Sequence, residues 1–481
     1  MTERYDAIIV GSGAGGAAAA WSLVQAGRRV LILERGGQLP RDGSTLDVRQ
    51  VFGEGRFRNS VPWVDRDDRA LHPDEYYNVG GKTKWYGAAL LRFSPHELAA
   101  DAAFACLGWP IDYVELAPFY AQAETLLGVR HFEHEAGLRR LITRLGAKGS
   151  GWHAEPLPLG LKPEILEHPT EARHFDGFAS PGGYKADAEY ALLQPILEHP
   201  HCTLMTGKEV TDLQFEADTP TRITGVRCAD GSVHHAREVI LAAGAMTSPR
   251  LLQKHLQRTG LDQTLPAAPL VGAHLKMHLN SALLAFSPRR QHDLLRKTAL
   301  FRHDAFPHSS VQPLGWLDGE MLATQLPRGI PGFLSNALGA RAVGFFLTTE
   351  DGSHPDNRVL ASASGDGPPK LDYSLERIPA SRDEHRALTR AFQRRLLAAG
   401  FLSAARPMGL AGTAHALGTL LAGRDPARSV VDAHGRVHGM QHLHVADGSV
   451  LARSSRVNPA LTIYAWGLRL GQWLKKERHD D

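Results

Sequence analysis

The first pattern along the chain is a run from Ala7 to Gly27 without a charged side chain. Its length matches a bilayer-spanning helix of about 20 residues. However, Gly11, Gly13, Gly15 and Gly16 interrupt it near its start, and the acidic Asp6 precedes it where an export signal carries basic residues. The run divides more naturally into a β-branched strand at 7–10, a glycine turn, a helix over 17–26 closed by Gly27, and a second strand at 29–33. Strand, crossover helix and strand in about 30 residues form a βαβ unit.

Residues 41–77 are polar and turn-rich. Beyond them, 78–90 sets glycine and alanine around Trp85 and Tyr86, a composition suited to backbone passing close to a flat ring. An amphipathic helix is predicted over 111–127 and another over 190–197. Strands are predicted at 202–205, 209–215 and 223–227, and a turn at 229–232 leads into 234–241. That succession predicts a small antiparallel meander feeding a buried strand. Ser248-Pro249 then starts a helix with proline at an early position. Alternating runs between about 276 and 375, such as 342–348, predict a second, mixed sheet. Residues 381–399 predict a charged helix with a solvated face.

The chemistry begins at the turn. Gly11, Gly13 and Gly16 form G-x-G-x-x-G after a strand and at the opening of a helix, and Glu34 stands at the tip of the next strand. Gly11 permits the tight turn, Gly13 lets a pyrophosphate approach the backbone, and Gly16 lets helix and strand pack closely. The helix N-terminus offers free N–H groups to the phosphates. Glu34 can accept from a ribose 2′-OH and would repel a 2′-phosphate, which disfavours NADP.

Composition narrows the alternatives. Hydrophobic residues are 43% and charged residues 22%, an ordinary globular mix that excludes a largely disordered chain. The net charge of +3 comes with acidic and basic residues interspersed, so no basic block tracks a nucleic acid. Cys106, Cys202 and Cys228 form no C-x-x-C, which excludes a disulfide scaffold and a cysteine zinc site. With no second uncharged span of membrane length, a soluble cytoplasmic protein is expected.

The last hundred residues carry a second constellation. His415 begins His-Ala-Leu-Gly-Thr, Asp447-Gly448-Ser449 lies in a run over 443–450 that reads as a strand breaking into a turn, and Asn458-Pro459 opens a final helix. Together with the glycine fingerprint, these residues resemble the glucose–methanol–choline (GMC) oxidoreductase family over 5–37, 78–127, 185–255 and 411–475. The resemblance implies an α/β protein: a Rossmann-like, doubly wound FAD-binding domain assembled from 1–95, 186–275 and 405–481, and a second α+β substrate domain from 96–185 and 276–404. It implies FAD and the oxidation of an alcohol to an aldehyde or ketone.

Carried over, Gly11, Gly13, Ala14 and Gly16 hold the pyrophosphate and Glu34 the adenosine ribose. The main chain of Val210 lies by the adenine. Gly81, Gly87 and Ala88 run along the pyrophosphate and isoalloxazine, and Asp447, Gly448 and Pro459 complete the flavin end. His415 and Asn458 match the catalytic pair, His415 as base and Asn458 as hydrogen-bond donor. A neutral imidazole suits removal of the carbinol proton near neutral pH, and an amide can hold the oxygen without competing for that proton.

The chain departs from the family in 82–86, Lys-Thr-Lys-Trp-Tyr, where small residues and a histidine or asparagine are common. Trp85 stands where some sugar oxidases link flavin to histidine, so non-covalent FAD is expected. The resemblance favours a secondary hydroxyl of a sugar, glycoside or polyol. It leaves open an aryl or aliphatic alcohol oxidase, a lyase using FAD without net oxidation, a non-catalytic dinucleotide-binding protein, and the electron acceptor (oxygen, quinone or a redox protein). His434, His438, His442 and His444 are spaced suggestively, but Gly435 and Gly439 break any helix that would align them, so no metal is expected. Isolated, His415 would read as a core histidine and Asn458 as a helix cap.

Overall fold

In the computed structural model, residues 5–324, 331–362, 367–412 and 414–476 are described; Thr413, beside His415, lies outside them. The strand Tyr5–Val10 forms the centre of a seven-stranded sheet. It pairs in parallel with Val30–Leu33 on one side (Ile8 opposite Leu31) and with Val233–Leu241 on the other (Ile8 opposite Val239). Cys202–Met205 extends the first side and Leu443–Val445 the second, both in parallel. The central strands are apolar on both faces because helices cover both.

The chain leaves the central strand first toward one edge and later toward the other. The switch lies at the carboxyl end of Tyr5–Val10, where the glycine turn begins; ligands of open α/β sheets bind at such points. The expected meander is present: Val210–Glu216, Thr219–Cys228 and the start of Val233–Leu241 pair antiparallel before the last strand enters the parallel core.

The helix Ala14–Gln25 packs against the final helix, Ala460–Lys476, through small residues. A Cβ on Gly467 would lie 2.4 Å from the Gly15 carbonyl oxygen, and one on Gly471 would lie 2.6 Å from the Ser22 Cβ. A Cβ on Gly15 itself would stand 1.5 Å from the Ala446 oxygen. This glycine seam draws the C-terminal constellation onto the N-terminal fingerprint. Helix-packing duty assigned from the sequence to Gly16 alone is thus shared with Gly15.

The second large sheet has six strands in the order 402–407, 279–286, 342–349, 309–313, 299–303, 152–156, and its pairings are antiparallel throughout. A four-stranded sheet supplies the mixed pairing, with Lys370–Asp372 parallel to Trp63–Asp65. Two pairings cross the expected domain boundaries: Leu402–Pro407 spans 404/405, and Trp63–Asp65 joins 370–372.

One face of the six-stranded sheet is apolar. Leu283, Val311, Phe345 and Leu347 pack there against Leu388, Phe392 and Leu396 of the helix Pro379–Ala398. The period of two then sends Ser310 and Gln312 to the other face, where they meet the C-terminal segment. Ser310 Oγ donates to the Arg456 carbonyl at 2.6 Å. No described helix is long and apolar enough to cross a membrane.

Candidate active site

The turn after the first strand is built around two crowded glycines and one open one. Gly11 has φ +105°, and a Cβ there would lie 2.5 Å from the Ala242 oxygen. A Cβ on Gly16 would lie 2.1 Å from the Gly11 oxygen. At Gly13 a Cβ would meet nothing within 4 Å, although a Cβ on Gly81 would lie 3.3 Å from the Gly13 Cα. The helix from Ala14 has no side-chain cap, so its first N–H groups face this open space. An open cradle at an uncapped helix N-terminus fits a diphosphate.

Glu34 is buried, and its carboxylate is already engaged. One oxygen accepts from Ser12 N at 3.1 Å and Ser12 Oγ at 2.6 Å; the other accepts from Gly36 N at 2.9 Å. Burial raises its pKa against these bonds. Glu34 therefore also braces the glycine turn, a duty the motif alone did not reveal, while lone pairs remain for a ribose hydroxyl. Lys208 N donates to the Glu34 carbonyl at 2.9 Å, which sets the start of Val210–Glu216 beside this strand tip.

The segment 78–90 passes the turn: Gly80 N donates to Ser12 Oγ at 3.1 Å. Its unusual residues are locked by partners. Lys82 pairs with Glu75 at 2.5 Å, and Lys84 is buried between Asp187 at 3.0 Å and Glu189 at 2.5 Å. Trp85 donates to Asn78 Oδ1 at 3.0 Å and stacks on Tyr76, with ring centroids 4.9 Å apart. The lysines of this segment are thus held by carboxylates and Trp85 by an amide and an aromatic ring, and Trp85 offers no nucleophile for a flavin bond. Ala88 is buried at φ +50°, and a Cβ on Gly87 would collide with the Lys297–Asp176 ion pair.

Asp447 is committed to the protein. It accepts from Gly244 N at 2.8 Å and Ser248 Oγ at 2.5 Å on one oxygen, and from Ser449 N at 2.9 Å on the other. Of this residue, the main chain is left to face a cofactor. Gly448 follows it into the short turn 448–450, and Pro459 precedes the last helix.

His415 is held by an antiparallel bridge. Lys276 and Leu417 exchange both backbone hydrogen bonds at 2.9 Å, so His278 falls opposite His415, with Nδ1 to Nδ1 at 2.7 Å. The pKa of half-buried His415 lies well below the ordinary value. Removal from water comes first, followed by competition with the adjoining His278 for a proton and by the positive fields of Lys82 and Lys297. Asn458 is half-buried as well, and its Oδ1 accepts from Gln312 Nε2 at 2.6 Å. The two are tied through one turn, because His278 Nε2 contacts the carbonyls of Ser454 and Ser455, just before Asn458.

His278, Gln312, Lys82 and Lys297 were not identified from the sequence. Gln312 was the accessible one: in Ser309–Pro313 it alternates with Val311 and so must lie on the opposite face. The four C-terminal histidines are dispersed. His442 and His444 bind Glu238 at 3.0 Å each, His434 stacks on Trp473, and His438 bonds Ser429. Elsewhere, Cys106, His308 and Glu350 bring ligand-type atoms within 4.8 Å of one another. Arg453 already donates to both Glu350 oxygens, at 2.8 and 2.6 Å, so a guanidinium charge stands where an ion would need to be.

A doubly wound sheet, an open diphosphate cradle at its switch point, and a half-buried histidine held by the 276/417 bridge fit a dinucleotide-dependent oxidoreductase. The GMC oxidoreductase family matches the chain in its N-terminal part over residues 5–280 and in its C-terminal part over 353–467. The chain belongs to that family and is an FAD-dependent oxidoreductase of alcohols. It is 31% identical to the paromamine 6′-oxidase of Streptomyces fradiae and 29% identical to the 6‴-hydroxyparomomycin C oxidase of Streptomyces lividus; each match covers 97% of this chain and 90% of the relative. Its fold is similar to that of an Aspergillus oryzae formate oxidase, with TM-score 0.69 and 15% identity over 100% of this chain and 99% of the other.

Proposed function

We propose that the enzyme oxidises a hydroxyl of a sugar, glycoside or polyol, with His415 as general base and Asn458 as hydrogen-bond donor to the carbinol oxygen. The observation that carries the reading is His415: a half-buried imidazole in contact with His278, whose burial and neighbouring charges lower its pKa and so favour the unprotonated form. The sugar class is supported by the two aminoglycoside oxidases among the relatives.

FAD, when bound, would supply the acceptor for the carbinol hydride. The chain does the rest. His415 takes the hydroxyl proton as negative charge develops on oxygen, and Asn458 stabilises that charge with its amide. Gly11, Gly13, Ala14 and Gly16 take the pyrophosphate, Glu34 the ribose, and the main chain of Val210 the adenine. Gly81, Gly87, Ala88, Asp447, Gly448 and Pro459 line the flavin end. Residues 1–95, 186–275 and 405–481 form the FAD-binding part, and 96–185 with 276–404 cover the substrate. Three free, buried cysteines support a reducing compartment, the cytoplasm.

Anaerobic mixing of the as-isolated enzyme with a panel of sugars, polyols and aryl alcohols tests this. Bleaching of the flavin band by the sugar or polyol group is expected. An unbleached band with every alcohol overturns the reading, and a cleaved substrate beside unbleached flavin indicates lyase chemistry. Repetition with oxygen and with a dye acceptor sorts oxidase from dehydrogenase.

A further inference from the structure

We infer that His278 is a positioning residue that fixes the tautomer of His415, holding the hydrogen on Nδ1 and leaving the lone pair on Nε2. The inference rests on the reading of His415 as the base, and it concerns which of its two nitrogens can act.

The argument runs from carbonyls inward. His278 Nε2 lies 3.0 Å from the Ser454 carbonyl oxygen and 2.7 Å from that of Ser455. Carbonyl oxygens only accept, so this nitrogen carries a hydrogen. His278 is 5% exposed, and burial lowers its pKa although the two carbonyls and Glu350 favour its charged form. It is therefore neutral near pH 7, and its Nδ1 is a lone pair. The 2.7 Å contact between the two Nδ1 atoms needs one hydrogen, which must come from His415. A neutral imidazole with hydrogen on Nδ1 has its basic nitrogen at Nε2.

The carbonyl pair is itself held in place. Ser455 adopts φ +65°, a left-handed conformation that a serine seldom takes without support. Its N–H donates to Glu350 Oε1 at 3.1 Å and its hydroxyl to Glu97, while Asp351 N donates to Ser454 Oγ at 2.8 Å. Glu350 is clamped by Arg453 on both oxygens. This buried group turns both carbonyls onto one imidazole nitrogen.

Two substitutions separate positioning from mere core packing. In His278→Asn the side-chain oxygen can occupy the Nδ1 place and still accept from His415, but the carbonyls lose their donor. In His278→Gln the side-chain nitrogen can occupy the Nε2 place and satisfy the carbonyls, but His415 loses its acceptor. With FAD content matched, the asparagine variant is expected to keep the anaerobic reduction rate within about 10-fold and the glutamine variant to lose about 10²-fold. ¹⁵N-histidine NMR of the wild-type holoenzyme, assigned by the signal lost in His415→Asn, should show His415 Nε2 as a pyridine-type nitrogen. A pyrrole-type Nε2, or glutamine restoring the rate where asparagine does not, overturns the inference. Loss of FAD from both variants still leaves the wild-type spectrum to decide. If no alcohol reduces the flavin, the proposed function fails while the spectrum continues to report the tautomer.

Discussion

Replacing Gly13 by valine should separate cofactor binding from folding, because the three fingerprint glycines are constrained for different reasons. Gly13 sits at φ −70°, ψ −169°, an extended conformation open to any residue, and a Cβ there meets nothing within 4 Å. The folded apoprotein should therefore change by less than about 1 kcal/mol. The valine methyls would project into the open cradle, so FAD binding is lost. At a free FAD concentration 100 times its Kd, ligand linkage stabilises the wild type by about 2.7 kcal/mol, and this increment should vanish in the variant.

Gly15→Ala is the control. Its Cβ would fall 1.5 Å from the Ala446 oxygen, so the helix seam must shift, at a cost of about 3 kcal/mol or more. The assay is thermal unfolding of both apoproteins across an FAD titration, with bound flavin measured by absorbance. Stoichiometric FAD in Gly13→Val, or an apoprotein as destabilised as Gly15→Ala, would refute the assignment of the loop.

Removing the imidazole in His415→Ala should leave FAD bound and slow anaerobic reduction by at least about 10². Because the His415 pKa lies below 6.5, kcat/KM of the wild type should rise with pH along a limb centred below pH 6.5 and stay flat above it; a limb centred at or above 6.5 contradicts the assigned environment. Gln312→Glu should impair alcohol oxidation more than Gln312→Leu, because a carboxylate forces Asn458 to turn its N–H groups inward, whereas leucine leaves it free. The reverse order of kcat/KM would make Gln312 a packing residue only. At Glu238, burial would raise the pKa, but hydrogen bonds from His442 and His444 and their charge bring it down to about 2. The resulting stability, roughly 3 kcal/mol, is complete above the ordinary value of 4.5 and is lost as pH falls toward 2. Acid unfolding of Glu238→Gln should lack that limb.

Elements dominated by local rules were legible in the sequence. The strand at 5–10 declares itself by an apolar run, its turn by glycines, and the helix at 113–126 by its pattern after the turn at 109–110. The meander at 210–241 follows from alternation and the turn at 229–232. Boundaries moved by a few residues: the first helix begins at Ala14, three residues before its expected start, because Gly15 and Gly16 are already helical. The strand 402–407 belongs to the second sheet and runs across the expected boundary at 404/405, a pairing that no local pattern announces.

The polarity of the site was hidden for a different reason. Nothing near His278 marks it, because its meaning comes from the register of 276 against 417 and from a turn 176 residues away. Separation along the chain likewise hides what Lys82 and Lys297 do to His415: each is an ordinary cation until the fold sets its field on one imidazole. The C-terminal block carries the side chains proposed to react, and the hydrogen-bond partner of each comes from the second sheet region, His278 before one strand and Gln312 within another. Changing the antiparallel sheet can therefore alter the chemistry without touching the cradle, whereas the glycine seam must stay fixed for the two halves to meet at all.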